Sequence, residues 1–122
     1  PWPAGYFDYV ISHGVLDSMD FDTARQGCAE AARVIRPGGL FYCDLISGDD
    51  STHAREFAGE QVVETAHEKD TIQSYFNFGR ILELVAGRFS LVECRLLRSE
   101  DVLLGGFTSR YHLVLRKETP HV

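Results

Sequence analysis

Residues 6–12, Tyr-Phe-Asp-Tyr-Val-Ile-Ser, are rich in aromatic and β-branched side chains, with Pro3 and Gly5 before them and Gly14 after. An apolar run bounded by chain breakers predicts a short strand. Beyond Asp22 the period changes: Ala24, Cys28, Ala31 and Ile35 recur at steps of four, three and four, which gathers small apolar groups on one helical face. Arg25, Glu30 and Arg33 fall on the other face. Asp20 or Asp22 is placed to cap this helix, and Pro37-Gly38-Gly39 is expected to stop it, because proline lacks a donor and glycine takes the left-handed conformation of a helix end. Leu40 to Ile46 is nearly continuous in apolar character, as in a strand buried on both faces of a parallel sheet. Strand, helix and strand within about 40 residues form a βαβ unit.

The second part of the chain reads as shorter pieces. Ser47 to His53 is a polar loop. Gln61 to His67 and Thr71 to Phe76 are β-prone runs joined by Glu68-Lys69-Asp70, which predicts a hairpin outside the main sheet. Phe78, Ile81, Leu82 and Val85 predict a second amphipathic helix ended by Gly87, and the helical spacing of Phe78 and Ile81 suits core packing at least as well as a place on a pocket wall. Phe89 to Leu97 and Ser109 to Arg116 are two further strands, with Gly105-Gly106 in the turn between them.

Composition narrows the class. The chain has 122 residues, 44% hydrophobic and 25% charged, which suits one globular domain and excludes a disordered, collagenous or disulfide-stapled protein. No apolar run reaches the roughly 20 residues of a membrane-spanning helix. A net charge of −6 without any basic cluster argues against a nucleic-acid partner. Cys28, Cys43 and Cys94 are odd in number and fit neither a paired framework nor a zinc knuckle, so reduced, buried thiols in a cytoplasmic protein are expected. Pro1-Trp2-Pro3-Ala4-Gly5 has no initiator methionine and no secretory signal, and reads as the start of a piece of a longer chain.

Candidate chemistry gathers at one place. In an open α/β sheet ligands bind beyond the carboxyl ends of the strands, where Ser12, His13 and Gly14 fall. His13 is either a proton acceptor for a bound molecule or a loop histidine bonded to backbone. Asp44, near the end of a buried strand, needs a partner, with a backbone donor the first choice. Asp49, Asp50 and His53 read as a solvated acidic loop rather than a metal site. Gly38-Gly39 and Gly105-Gly106 precede strands, not helices, so neither is a phosphate cradle. His67, His112 and His121 form no spacing pattern, and no Ser, Cys or Lys lies in a nucleophile motif.

Phe7-Asp8-Tyr9-Val10-Ile11-Ser12-His13-Gly14-Val15-Leu16, followed by Ala29-Glu30-Ala31-Ala32-Arg33-Val34-Ile35-Arg36-Pro37-Gly38-Gly39-Leu40, resembles the fourth strand, next helix and fifth strand of a class I S-adenosylmethionine-dependent methyltransferase. Tyr75-Phe76-Asn77 through Phe89-Ser90-Leu91-Val92-Glu93, and then Arg110 to Arg116, are similar to that family's late helix and last two strands. The resemblance implies an α/β fold, a partial Rossmann-like three-layer sheet, mostly parallel, with an antiparallel last strand and a small extra hairpin. It implies S-adenosylmethionine as cofactor, a small-molecule methyl acceptor, Ser12, His13 and Gly14 beside the cofactor, and His13 as the residue that positions or deprotonates the acceptor. Asp44, Tyr75 and Phe76 are then substrate-pocket residues. Asp17 stands where the family often has a histidine, and no role is carried to it.

The family's glycine-rich turn and the acidic residue that binds the ribose hydroxyls have no counterpart here, so the chain corresponds to the C-terminal portion of such a domain and is expected to be inactive alone. In the family's strand order the run at Phe7 to Ser12 is central, so its outer edge would be unpaired, and a homodimer or strand-swapped pair is expected. The alternative is a half-Rossmann interaction or dimerisation module that binds no cofactor.

Overall fold

The structure, a computed structural model, describes residues 2–53, 56–63 and 71–119. Its elements are β1 (Phe7–Ser12), α1 (Phe21–Val34), β2 (Ile35–Ile46), β3 (Gly59–Val63), β4 (Thr71–Tyr75), α2 (Phe78–Val85), β5 (Phe89–Glu100) and β6 (Phe107–Lys117). A four-stranded sheet has the order β1-β2-β6-β5, and β3 and β4 form a separate antiparallel pair, as the expected hairpin requires, with its first strand beginning earlier, at Gly59. The residues between β3 and β4, His67 among them, lie outside the described residues, as do His121 and the end of the tail.

The sheet is mixed and mostly antiparallel, not mostly parallel as expected. Only β1 and β2 run parallel, while β6 pairs antiparallel with both β2 and β5. The cause is local: β5 and β6 are joined by the tight turn at Asp101 to Gly106, where Gly105 has φ +78° and Gly106 φ +83°, and a turn that short forces antiparallel pairing. Once β6 lies between β2 and β5, two of the three pairings are antiparallel.

Helix α1 starts where Asp20 accepts the Thr23 N–H at 2.7 Å, a hydrogen bond that also holds the Asp20 carboxyl below the usual range. Its end differs from expectation. The helix stops at Val34, and Pro37-Gly38-Gly39 lies inside β2, with Gly38 at φ +78°. The β1–β2 register shifts between Phe7 and Tyr9 at this point. A Cβ on Gly39 would sit 2.8 Å from the Asp8 carbonyl oxygen, so glycine lets the two strands close there.

The core lies on one face of the sheet. Phe41, Cys43 and Leu45 from β2 and Leu113 and Leu115 from β6 pack with Ala24, Cys28 and Ala31 of α1 and Ile81, Leu84 and Val85 of α2. The stripe on α2 is therefore displaced from the predicted one: Phe78 and Leu82 are exposed. Cys94 is also exposed, because most of β5 extends away from the helices, whereas Cys28 and Cys43 are buried as expected. Burial pushes the Cys28 thiol up to about 11 and raises that of Cys43 as well.

The opposite face carries Tyr9, Ile11, Tyr42 and Val114, and among the described residues no helix covers it, giving two layers rather than three. Tyr9 is 67% and Ile11 74% exposed. Strand β1 also pairs only with β2 among the described residues, so its other edge is open. No helix is long and apolar enough to cross a membrane among the described residues.

Candidate functional site at the carboxyl ends of β1 and β2

Strand β1 ends at Ser12, and the chain turns at Gly14 with φ +67°, a conformation that favours glycine. The turn is held from the next strand: the Gly14 N–H donates to Asp44 Oδ1 at 2.7 Å. His13 Nδ1 lies 2.8 Å from Asp44 Oδ2. The parallel pairing of Ser12 with Cys43 sets the end of β1 beside the last part of β2, and Asp44, the next residue of β2, faces the turn that leaves β1. Ser12, His13, Gly14 and Asp44 are thus one cluster.

Asp44 is 1% exposed and Asp17 2%, and two buried carboxylates need compensation. Arg110 supplies it from β6, where it stands opposite Ile46. Its Nη1 donates to Asp17 Oδ2 at 2.9 Å and to Asp44 Oδ2 at 3.2 Å. Asp17 Oδ2 also accepts the Ile46 N–H at 2.8 Å. The loop after β1 is anchored in turn by β4: the Asp17 carbonyl accepts the Ser74 N–H at 2.8 Å and Gln73 Nε2 at 2.7 Å, and the Ser74 hydroxyl donates to the Met19 carbonyl.

Within this frame the His13 side chain remains 75% exposed. A bare nitrogen lone pair 2.8 Å from a carboxylate oxygen would be repelled, so Nδ1 carries a proton, and in the neutral form of the ring the acceptor lone pair is on Nε2. The partner of the His13 ring is thus the Asp44 carboxylate, not the backbone that the loop-histidine reading expects. Asp44 has the expected backbone donor and two cationic or polar side chains besides.

The sequence gives Asp17 no role and does not point to Arg110, although Asp44 carries a signal: a carboxylate in a buried strand needs a partner. Choosing Arg110 required knowing that β6 pairs with β2 over Leu40 to Ile46.

Tyr75 and Phe76 sit elsewhere. Phe76 is fully buried, its ring 6.2 Å from that of Phe21, and its N–H donates to the Ile46 carbonyl at 3.0 Å, so it is a core residue. Tyr75 packs 4.6 Å from His53 and 5.7 Å from Phe57, and burial raises its phenol. His53 Nδ1 is 2.9 Å from Asp50 Oδ1, which also accepts the Thr52 and His53 N–H groups. Burial alone would raise the Asp50 carboxyl, but these hydrogen bonds outweigh it and hold the group below its usual range. Asp49 takes part through its backbone instead, with its N–H donating to Ser47 Oγ and its carbonyl accepting from Ser109. Among the described residues no group of His, Cys, Asp and Glu is arranged to hold a metal ion.

A nucleotide-bearing cofactor would need a backbone cradle as well as the Ser12–Gly14 loop. Helix α1 follows β1 after a loop of eight residues, with its first turn capped by Asp20 rather than opened by a glycine-rich turn. Among the described residues no glycine-rich turn opens a helix after a strand, so they do not supply the adenosine- and ribose-binding side of such a site.

Residues 1–43 match the sequence model of a family described as a methyltransferase domain. No curated protein matches the chain by sequence. Among solved structures, an S-adenosylmethionine-dependent methyltransferase from Methanosarcina mazei superposes with a TM-score of 0.78 at 17% identity, over 98% of this chain and 63% of that one. The 1,6-didemethyltoxoflavin N1-methyltransferase of Burkholderia thailandensis, solved with its substrate and S-adenosylhomocysteine, gives 0.71 at 17% identity, over 95% and 46%. The [4+2]-cyclase SpnF gives 0.62 at 13% identity, over 98% and 53%. The chain thus spans from about half to less than two thirds of the length of these proteins. In its first third by sequence and throughout by fold it resembles the class I S-adenosylmethionine-dependent methyltransferases. The cyclase shows that this fold also serves other chemistry.

Proposed function

We propose that this chain is the C-terminal, acceptor-facing portion of an S-adenosylmethionine-dependent methyltransferase that acts on a small molecule. The observation that carries the reading is the cluster of Ser12, His13, Gly14 and Asp44 at the carboxyl ends of the parallel pair. In this reading Ser12 to Gly14 form the wall beside the donor, and His13 Nε2 accepts a proton from the methyl acceptor while Asp44 holds Nδ1. Asp44 would act on the acceptor pocket from beneath, through His13, and Tyr75 would reach it only from its separate place on β4 beside His53. Phe76, as a core residue, would support that wall from behind.

The missing cradle implies that the chain needs a glycine-rich half supplied in the same polypeptide or in trans. The assay is methyl transfer from a radiolabelled donor to a panel of small hydroxyl and amine acceptors, with and without that half. Transfer is expected only when both halves are present, and His13→Ala should lower it about 100-fold. Full transfer by the His13→Ala variant would remove His13 from the chemistry, and transfer by the 122-residue chain alone would refute the division into halves.

A second reading, a half-Rossmann interaction module, is favoured by one observation: the open edge of β1 beside exposed Tyr9 and Ile11. A second copy would cover this edge by strand pairing or exchange. Light scattering at tens of micromolar should then give a dimer mass, and a monomer mass counts against it.

A further inference from the structure

We infer that Arg110 and Asp17 are positioning residues that act on His13 through Asp44, an inference that rests on the proposed role of His13. One guanidinium nitrogen spans two buried carboxylates, at 2.9 Å from Asp17 and 3.2 Å from Asp44. Each carboxylate uses an oxygen to hold a backbone N–H at the strand ends, Gly14 for Asp44 and Ile46 for Asp17. Arg110 therefore ties together three segments that lie far apart in sequence: the loop after β1, the end of β2 and the start of β6.

The geometry makes this bridge more than a packing device. Asp44 divides its oxygens, giving Oδ1 to Gly14 and Oδ2 to both His13 and Arg110. Its orientation is set on one side by the turn and on the other by the guanidinium. If Arg110 releases Oδ2, the carboxylate is free to turn about its last bond, and both the Gly14 contact and the His13 contact loosen together. Asp17 shares no hydrogen bond or ion pair with His13, yet it fixes Arg110 from the far side. Asp17 should therefore govern His13 only through the bridge.

The test uses nitrogen-15 NMR of the 122-residue chain near pH 8.5, where an ordinary imidazole of pKa about 6.5 is neutral. The readouts are the ratio of Nδ1–H to Nε2–H tautomers of His13 and the amide exchange rate of Gly14, with the methyl signals of Leu113 and Leu115 reporting an intact core. The parent chain is expected to hold His13 mainly as the Nδ1–H form. Arg110→Gln and Asp17→Asn should each lower that tautomer ratio about tenfold and speed Gly14 exchange by a similar factor, as loss of a charge-assisted hydrogen bond would.

Arg110→Lys keeps the charge on a compact head and should fall between parent and Arg110→Gln. It also serves as the working variant where Arg110→Gln does not fold. An unchanged tautomer ratio and unchanged Gly14 exchange in folded Asp17→Asn or in the folded Arg110 variants would overturn the inference. Because no donor or acceptor is present, the two claims separate: a coupled network without methyl transfer defeats only the proposed function, and His13-dependent transfer with an uncoupled Arg110 defeats only this inference.

Discussion

Replacing Asp44 with alanine removes an acceptor that serves three donors at once, and the structure allows the cost to be worked out. The Gly14 N–H, 2.7 Å from Oδ1, loses a charge-assisted hydrogen bond worth about 1.5–3 kcal/mol. Breaking a buried ion pair costs about 3–5 kcal/mol when the surviving charge is stranded, but Arg110 is partly exposed and keeps Asp17, so its share falls well below that range. His13 is largely exposed and turns to water at little cost. Against these losses stands the relief of no longer burying a carboxylate.

The net destabilisation expected is about 2–4 kcal/mol, or roughly 8–16 °C in Tm at about 4 °C per kcal/mol for a domain of this size. That is a large share of the roughly 5–15 kcal/mol that holds a domain together. Urea titration followed by far-ultraviolet circular dichroism gives the number, with Asp8→Ala as control: Asp8 pairs with Arg36 on the surface, and its loss should cost no more than about 0.5 kcal/mol. An Asp44→Ala variant as stable as the Asp8→Ala control would mean that the buried network does not hold the strand ends, and the reasoning fails.

Gly39→Ala should cost about 1–3 kcal/mol by the same titration, since its Cβ would meet the Asp8 carbonyl oxygen at 2.8 Å; a neutral outcome would contradict the close approach of β1 and β2. The Asp50 carboxyl is depressed in the folded chain, so its contribution is present above the unfolded value of about 3.9 and is lost as pH falls through the lower folded value. Thermal melts below about pH 4 should therefore show a smaller acid loss in Asp50→Asn than in the parent, and equal losses would refute the His53 and Thr52 assignments. Alkylation by iodoacetamide near pH 8 should label exposed Cys94 first. Cys28, with its thiol pushed up to about 11, and Cys43 should react only after unfolding, and early labelling of either would contradict their burial.

How far the sequence carries the fold is seen in particular residues. Ala24, Cys28 and Ala31 are buried on one face of α1 as their period implies, whereas Ile35, the fourth member of that stripe, is buried as the first residue of β2. On α2 the same reasoning picked Phe78 and Leu82 and missed Leu84: in eight residues two stripes compete, and only the sheet beneath decides between them. The parallel start was legible from the βαβ pattern, whereas the insertion of β6 between β2 and β5 depends on pairings between distant residues. The site divides in the same way. His13 and Gly14 followed from their place after a strand, and Asp44 from its burial. Arg110 is 93 residues from Asp17 and 66 from Asp44, and its role exists only once β6 is in register with β2.

The proposal to test first is that the loop from Ser12 to Gly14 forms one wall of a donor site. Nitrogen–proton correlation spectra of the chain titrated with S-adenosylhomocysteine test it most directly. The account predicts shifts centred on the amides of Ser12, His13 and Gly14, with weak affinity in about the millimolar range. Shifts centred on the Gly105-Gly106 turn, none at Ser12 to Gly14, or micromolar binding by this chain alone would contradict it.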